Sequence, residues 1–553
     1  MVRGLPLTIA VVAAVALAAC GDGGGPATPT PTAEPSPAFT VTPIVTPLIP
    51  LTPGPDVAAP PPTTLLDMAS DSPVLTILSA DADDLHAGGS SLAWGDFNSD
   101  GVDDLLLGAP YGDGPDNSRE DAGEAYVIFG SGDLEAEIDL GRGAADVTIF
   151  GALPGDNLGF SVISGDLNGD GIDDVVVGAP GSNGLTNIRT DLGEAYVIFG
   201  SPSLGGTVDL AKIEQDFTFR PAEGFTRVGT AFAIGDVNGD GIDDLIAGGP
   251  FGGRVEGSPP GSPRTTEGEV YVVFGTPDLS GEKDVALGEE DVRLKGAQEF
   301  DSFGQAVASS DVNGDGVDDI IVTASRADGP GDSRTEAGEA YVFFGSPSLS
   351  GKIDSDEADV IIYGADEGDT LGDPAASGDV SGDGLADIVL GARFAGGPDN
   401  LRSVAGEAYV ILGSPSLGGI IDLGEEASDS LIYARDPSDM MPSSLIVVDL
   451  DGDGRDDVVL GAALADGPEN LRSDGGEAYV LSGDALEGEI DLWVDVDGPV
   501  FIYGAAAGEQ LGLGLLWIDL NDNDRRELLL LASGGLGAPQ GLGKLYLVEV
   551  PGR

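Results

Sequence analysis

Aspartate and asparagine recur at alternate positions around a glycine in six nine-residue segments, a pattern of oxygen donors suited to a hard divalent cation. The first three carry Asp96, Asn98, Asp100, Gly101 and Asp104, then Asp166, Asn168, Asp170, Gly171 and Asp174, then Asp236, Asn238, Asp240, Gly241 and Asp244. The next three carry Asp311, Asn313, Asp315, Gly316 and Asp319, then Asp379, Ser381, Asp383, Gly384 and Asp387, then Asp449, Asp451, Asp453, Gly454 and Asp457. Calcium takes six to eight oxygens at roughly 2.3–2.6 Å. Side chains at positions 1, 3 and 5 point inward when the backbone curls, and position 6 then turns where glycine is least strained. The carbonyl at position 7 (Val102, Ile172, Ile242, Val317, Leu385, Arg455) adds an oxygen, and the carboxylate at position 9 closes the shell. One such segment reads equally well as a surface turn rich in Asx residues. Six of them, each crowding like charges that repel without a counterion, point to about six Ca2+ ions. A seventh copy, Asp519 to Glu527, has Asp524 for the glycine and Asn523 for an aspartate, so its site is expected to be weak or absent.

Segments that could position these loops surround each copy. An EF-hand loop closes with glutamate at position 12 and runs into a helix; here apolar runs such as Val175-Val176-Val177 and Ile320-Ile321-Val322 follow, so each loop joins two strands. A small-sided segment precedes the loop, as in Ala231-Phe232-Ala233-Ile234-Gly235. Two further apolar runs follow, as in Gly193-Glu194-Ala195-Tyr196-Val197-Ile198 and Asp359-Val360-Ile361-Ile362-Tyr363. Four strands per unit without helical periodicity, repeated about every 70 residues, predict an all-β chain folded as a seven-bladed β-propeller of four-stranded blades. The last unit stops after Lys544–Val550, one strand short, while Pro73–Ser79 is a spare strand ahead of the first loop. Residues 73–79 are therefore expected to complete the seventh blade and close the ring.

Composition narrows the partners. Against 96 acidic residues stand 24 basic ones, a net charge of −72, which disfavours nucleic acid because its phosphates attract basic groups. One histidine (His86) and one cysteine leave little for zinc or thiol chemistry. The cysteine, Cys20, follows a short apolar stretch from Leu5 to Ala19. That stretch is too short for a comfortable membrane span but suits a signal peptide. Leu17-Ala18-Ala19-Cys20 resembles the lipobox of bacterial lipoproteins, which implies cleavage before Cys20 and its acylation. The resulting division is a signal peptide over 1–19, an acylated cysteine and Pro/Thr-rich tether over 20–71, and the propeller over 72–553. The expected location is the bacterial cell envelope, lipid-anchored and facing the periplasm or exterior.

The repeated units resemble the FG-GAP repeats of integrin α-subunit propellers. Gly108-Ala109-Pro110 and Gly178-Ala179-Pro180 follow the first two loops, and Phe303-Gly304, Leu158-Gly159, Leu371-Gly372 and Leu511-Gly512 stand for the Phe-Gly element. The motif drifts to Gly248-Gly249-Pro250, Thr323-Ala324-Ser325, Gly391-Ala392-Arg393 and Gly461-Ala462-Ala463. The resemblance implies calcium between the first and second strands, on the lower face. With no inserted domain, leg domains or transmembrane helix in the sequence, an integrin subunit is not expected. A related propeller accompanies a zinc-dependent catalytic region in a glycosylphosphatidylinositol-specific phospholipase D, but this chain has neither the room nor the histidines for one.

A second pattern lies in the connection from second to third strand. Arg119, Arg189, Arg264, Arg334, Arg402 and Arg472 each stand five residues ahead of a glutamate: Glu124, Glu194, Glu269, Glu339, Glu407 and Glu477. A ring of guanidinium groups could meet an anionic ligand, or each arginine could pair with a nearby glutamate or an aspartate of the adjacent blade; regular repetition favours pairing. The expected function is a non-catalytic, calcium-binding surface propeller that binds an extracellular protein or glycan through the face opposite the calcium loops. The alternatives are a scaffold subunit of an envelope complex and, less in keeping with the repetition, a polysaccharide-acting enzyme.

Overall fold

Each 70-residue unit contributes a β-meander because its apolar runs are short, β-branched and separated by glycine-rich turns. The computed structural model describes residues 64–81, 84, 91–184, 192–221, 225–252, 267–425, 428–494, 498–523, 525–533 and 543–550. The signal peptide, Cys20, His86, Arg189, Arg264 and Asp524 lie outside the described residues, as does the tether up to residue 63.

Seven sheets form a seven-bladed propeller. Blade 1 is built from Leu92–Gly95, Asp104–Ala109, Glu124–Ile128 and Val147–Phe150, each antiparallel to the next. Blades 2 to 6 repeat this meander, with first strands Val162–Gly165, Ala231–Gly235, Phe303–Ser310, Ala375–Gly378 and Ser444–Val448. Blade 7 has Leu511–Ile518, Glu527–Ala532 and Lys544–Val548, and takes its fourth strand, Leu75–Leu78, from the start of the chain. The ring is thus closed by the residues expected to close it.

Every sheet has five strands rather than four. The fifth is parallel, lies outermost, and comes from the next unit's connection between third and fourth strands: Gly206–Asp209 pairs with Val147–Phe150 of blade 1, and Gly281–Asp284 with Phe217–Arg220 of blade 2. In blade 6 that place is taken by Thr64–Asp67, parallel to Val500–Tyr503. The strand Thr64–Asp67 thus lies inside the segment assigned to the tether, and the propeller takes in residues ahead of the boundary drawn at 71/72. So short a run can take an edge position because an outer strand needs hydrogen bonds on one side more than a buried face.

Second strands are buried on both faces, as in Asp104–Ala109 and Asp174–Ala179. Seven apolar clusters fill the spaces between neighbouring blades. One of them joins Leu106, Val127 and Ile149 of blade 1 to Val175, Val177 and Tyr196 of blade 2. The Phe-Gly and Gly-Ala-Pro elements meet at these interfaces. A Cβ on Gly108 would lie 2.0 Å from the carbonyl oxygen of Gly159, which itself has φ of 87°, so both positions need glycine.

Candidate metal loops and the arginine clasps opposite them

In an antiparallel meander, connections between strands 1 and 2 lie at one end and those between strands 2 and 3 at the other. The six aspartate loops therefore share the lower face, and the arginine-bearing connections share the upper one.

Each loop is wound about its first residue. Asp96 accepts the N–H groups of Asp100 and Gly101, both at 2.9 Å, and Asp100 accepts that of Val102 at 3.0 Å. The same bonds recur around Asp166, Asp236, Asp311, Asp379 and Asp449. Position 9 is the start of the second strand and is buried. Asp104 is 0 % exposed, with Oδ2 taking the Phe97 N–H and Oδ1 the Gly130 N–H. Burial, then the charges on Asp100 and Asp96, push Asp104 up to about 7. Burial likewise raises Asp174, Asp244 and Asp319 to about 7, and Asp387 rises for the same reason.

The donor set fits calcium on two observations. At position 3 of the first loop, the buried Oδ1 of Asn98 has no hydrogen-bond partner. In the sixth, carboxylate oxygens of Asp449, Asp451 and Asp453 lie within 4.8 Å of one another, the one acidic trio among the described residues that closes to this distance. At position 3 of loops 2 to 4, the amide of Asn168, Asn238 or Asn313 lies about 3 Å from the position-9 carboxylate. Amide orientation is an assignment; half a turn places the carbonyl oxygen there instead. In loop 5, Ser381 Oγ is 3.3 Å from Asp379 Oδ1. Among the described residues, no lysine or arginine pairs with the Asp ligands of loops 1 to 5. The seventh loop is different: Asn521 and Asn523 both donate to Glu527 Oε1, leaving Asn521 Oδ1 and Glu527 Oε2 buried without partners.

Position 8 was not singled out from sequence, yet its aspartate joins neighbouring loops. Asp173 accepts the Asp96 N–H at 2.9 Å, Asp243 that of Asp166 at 2.9 Å, Asp318 that of Asp236 at 3.1 Å and Asp456 that of Asp379 at 2.7 Å. Asp103 does the same across the ring closure, for Asp519 at 3.1 Å. Two units lack the group, having Ala386 and Arg526 at this position. The repeated Asp-Asp doublet was the available signal.

On the upper face, the described arginines of the repeated series pair with aspartates ending the fifth strands, not with the glutamates. Arg119 grips Asp209 at 2.7 and 2.9 Å and donates to the Gly151 carbonyl. Arg402 grips Asp491 at 2.6 and 2.5 Å, and Arg334 pairs with Asp422 at 2.5 Å. Arg472 reaches Asp67 at 2.5 and 2.7 Å, across 405 residues. The hydrogen bonds from Arg119 hold Asp209 down to about 2. The glutamates are instead buried against the tyrosine two residues on, as in Tyr196 to Glu194 and Tyr479 to Glu477, both at 2.7 Å.

With this geometry in place, comparison with known proteins is direct. Residues 88–128, 158–198, 228–273, 303–343 and 441–481 match the FG-GAP repeat. Phosphatidylinositol-glycan-specific phospholipase D of Homo sapiens is 33% identical over 187 residues, covering 33% of this chain and 20% of that protein. Integrin alpha-PS5 of Drosophila melanogaster is 28% identical over 242 residues, 43% of this chain and 21% of that protein. The matched segment thus spans about a fifth of either relative. A solved structure of BBS1N in complex with ARL6DN has 8% identity and a TM-score of 0.43, over 87% of this chain and 98% of that one. The chain carries FG-GAP repeats on a seven-bladed propeller and has integrin α-subunits among its homologues.

Proposed function

We propose that this propeller binds calcium in its six lower loops and serves as a non-catalytic adhesion or ligand-binding module on a bacterial cell envelope. The observation that carries this reading is the return of one loop in six blades, each wound on its first aspartate with a buried position-9 carboxylate, together with the converging carboxylates of Asp449, Asp451 and Asp453 and an orphaned amide oxygen at Asn98. The carboxylates of positions 1, 5 and 9, the side-chain oxygen at position 3 and the carbonyl at position 7 would hold each ion. When bound, calcium supplies charge neutralisation and cross-linking of the hairpin; the chain's own backbone N–H groups already set the first aspartate in place. In both kinds of relative the matched segment is about a fifth of a longer chain, and homology with integrin α-subunits favours recognition over catalysis. The identical recurrence of the carboxylates argues the same way, since catalysis needs one differentiated centre.

Calcium titrated calorimetrically into chelator-treated full chain should bind at about six sites, consistent with the six intact loops. A stoichiometry near zero would end the reading. Anchoring through lipid on Cys20 is tested separately: Cys20→Ala should move the protein from the membrane fraction to the soluble one.

A further inference from the structure

Two departures from the Gly-Ala-Pro motif fall on adjacent blades and open onto one cleft. In blades 1 to 3, Pro110, Pro180 and Pro250 follow the second strand; in blades 4 and 5 the same place holds Ser325 and Arg393, with Arg326 and Phe394 next in the chain. These residues line a cleft of about 600 Å³ on the upper face, together with Gln305 on the first strand of blade 4, the exposed Glu336, and Thr370 and Asp373 on the connection between the blades. Its volume is that of a ligand pocket rather than a packing gap.

The lining sets two arginines, two carboxylates and an exposed ring around one space. Arg326 is exposed, and among the described residues it has no ion-pair or hydrogen-bond partner for its side chain. Arg393 pairs with Asp373 on one side, Nη2 to Oδ1 at 3.1 Å, and keeps 28% of its side chain exposed. Phe394 is 41% exposed. Thr370 Oγ1, at the same wall, is buried without a hydrogen-bond partner. In a chain of net charge −72, two guanidinium groups and an exposed ring in one cleft, balanced there by Glu336 and Asp373, leave it locally neutral rather than acidic.

Guanidinium groups recognise carboxylates by paired donors. An aromatic ring packs on the apolar face of a sugar, and the amide of Gln305 suits a polyhydroxylated ligand. The geometry points to a site for a short acidic oligosaccharide in this cleft, a uronate residue stacking on Phe394 with its carboxylate held by Arg326 and Arg393. The chain's own negative field repels a long polyanion, and the cleft holds only a few sugar units, so a fragment or chain end is the fitting form. This inference rests on the ligand-binding reading above and gives it a substrate class. A larger cleft of about 840 Å³ beside Trp517 and Arg526 is walled by Asp449 and Asp451, and so belongs to the metal face.

The test is binding of oligogalacturonate to the full chain, by calorimetry, with neutral gluco-oligosaccharide and an oligoglutamate peptide as comparators, each with calcium and with chelator. Arg326→Ala and Phe394→Ala should each weaken oligogalacturonate binding ten-fold or more while leaving the melting temperature unchanged. Phe251→Ala, which removes the exposed ring at the equivalent place in blade 3, should leave it intact. The proposal is overturned if oligogalacturonate does not bind, if neither variant weakens it, if oligoglutamate binds as well, or if binding needs calcium and ignores both variants. Failure here with retained calcium stoichiometry and another ligand on the upper face would leave the broader function standing; failure of both would not.

Discussion

At the upper end of blade 1 the carboxylate of Asp209 lies 2.7 Å from a guanidinium nitrogen, whereas at the lower end Asp96, Asp100 and Asp104 receive only backbone N–H groups. The same contrast recurs in blades 4 and 5, where Arg334 and Arg402 serve the upper side and the lower loops have no basic side chain among the described residues. One repeat thus handles crowded acid in two ways. The upper clasp carries its cation within the chain and is complete on folding. On the calcium reading proposed above, the lower hairpin would instead draw its cation from solution, making the stability of one face conditional on the surroundings and that of the other not.

That contrast can be broken most sharply by chelation. Six sites filled well above their dissociation constants should raise the melting temperature by about 15 °C over the chelated form; equal melting in scanning calorimetry would erase the difference between faces. Next in size is the clasp at the ring closure. Arg472→Ala leaves Asp67 half-buried without its partner and should cost about 3 kcal/mol, equally with and without calcium. A loss that appeared only in calcium would mean the two faces are not independent. Within the lower face, Asp451→Ala should lower stability in calcium by about 2–3 kcal/mol and Asn521→Ala by well under half of that, the gap vanishing in chelator. Denaturant melts under both conditions measure it.

Acid sharpens the upper side. Asp209 sits at about 2 in the folded protein, below its ordinary 3.8, because of its hydrogen bonds with Arg119. Its contribution is therefore present above about pH 4 and lost as pH falls through about 2, an amount of roughly 2 kcal/mol. Arg119→Ala should flatten the decline in melting temperature between pH 4 and 2. An unchanged slope would show that the pair contributes little.

The ring and the place of its acidic loops between first and second strands were readable because the signal repeats: an apolar run such as Val175-Val176-Val177 after Asp174 is ambiguous alone, but its return in every unit marks it as a strand. The fifth strands were not. Gly206–Asp209 is exposed over its first two residues and has no apolar periodicity, since an outermost strand is held mainly by backbone bonds to one neighbour. Thr64–Asp67 was hidden further by the Pro/Thr-rich composition before it. The repeated arginines were visible as a series, but their partners lie some 90 residues away, and only the crossing of each outer strand onto the preceding blade brings Asp209 to Arg119. Position 8 of the loops is masked in the sequence by the ligand beside it, since two adjacent aspartates look like one acidic feature. The upper cleft was foreshadowed only as motif drift at Ser325 and Arg393; that the two sites face one space is a property of the ring.

The outer strand at the closure has a mechanical consequence. Thr64–Asp67 bonds to Val500–Tyr503 and is gripped by Arg472, whereas the strand that shuts blade 7, Leu75–Leu78, comes later in the chain. Tension arriving from ahead of residue 64 is received first by this outermost ribbon of four residues, which can peel while the inner strand keeps the disc shut. Like the sleeve on a cable, it would yield before the strand that shuts the ring.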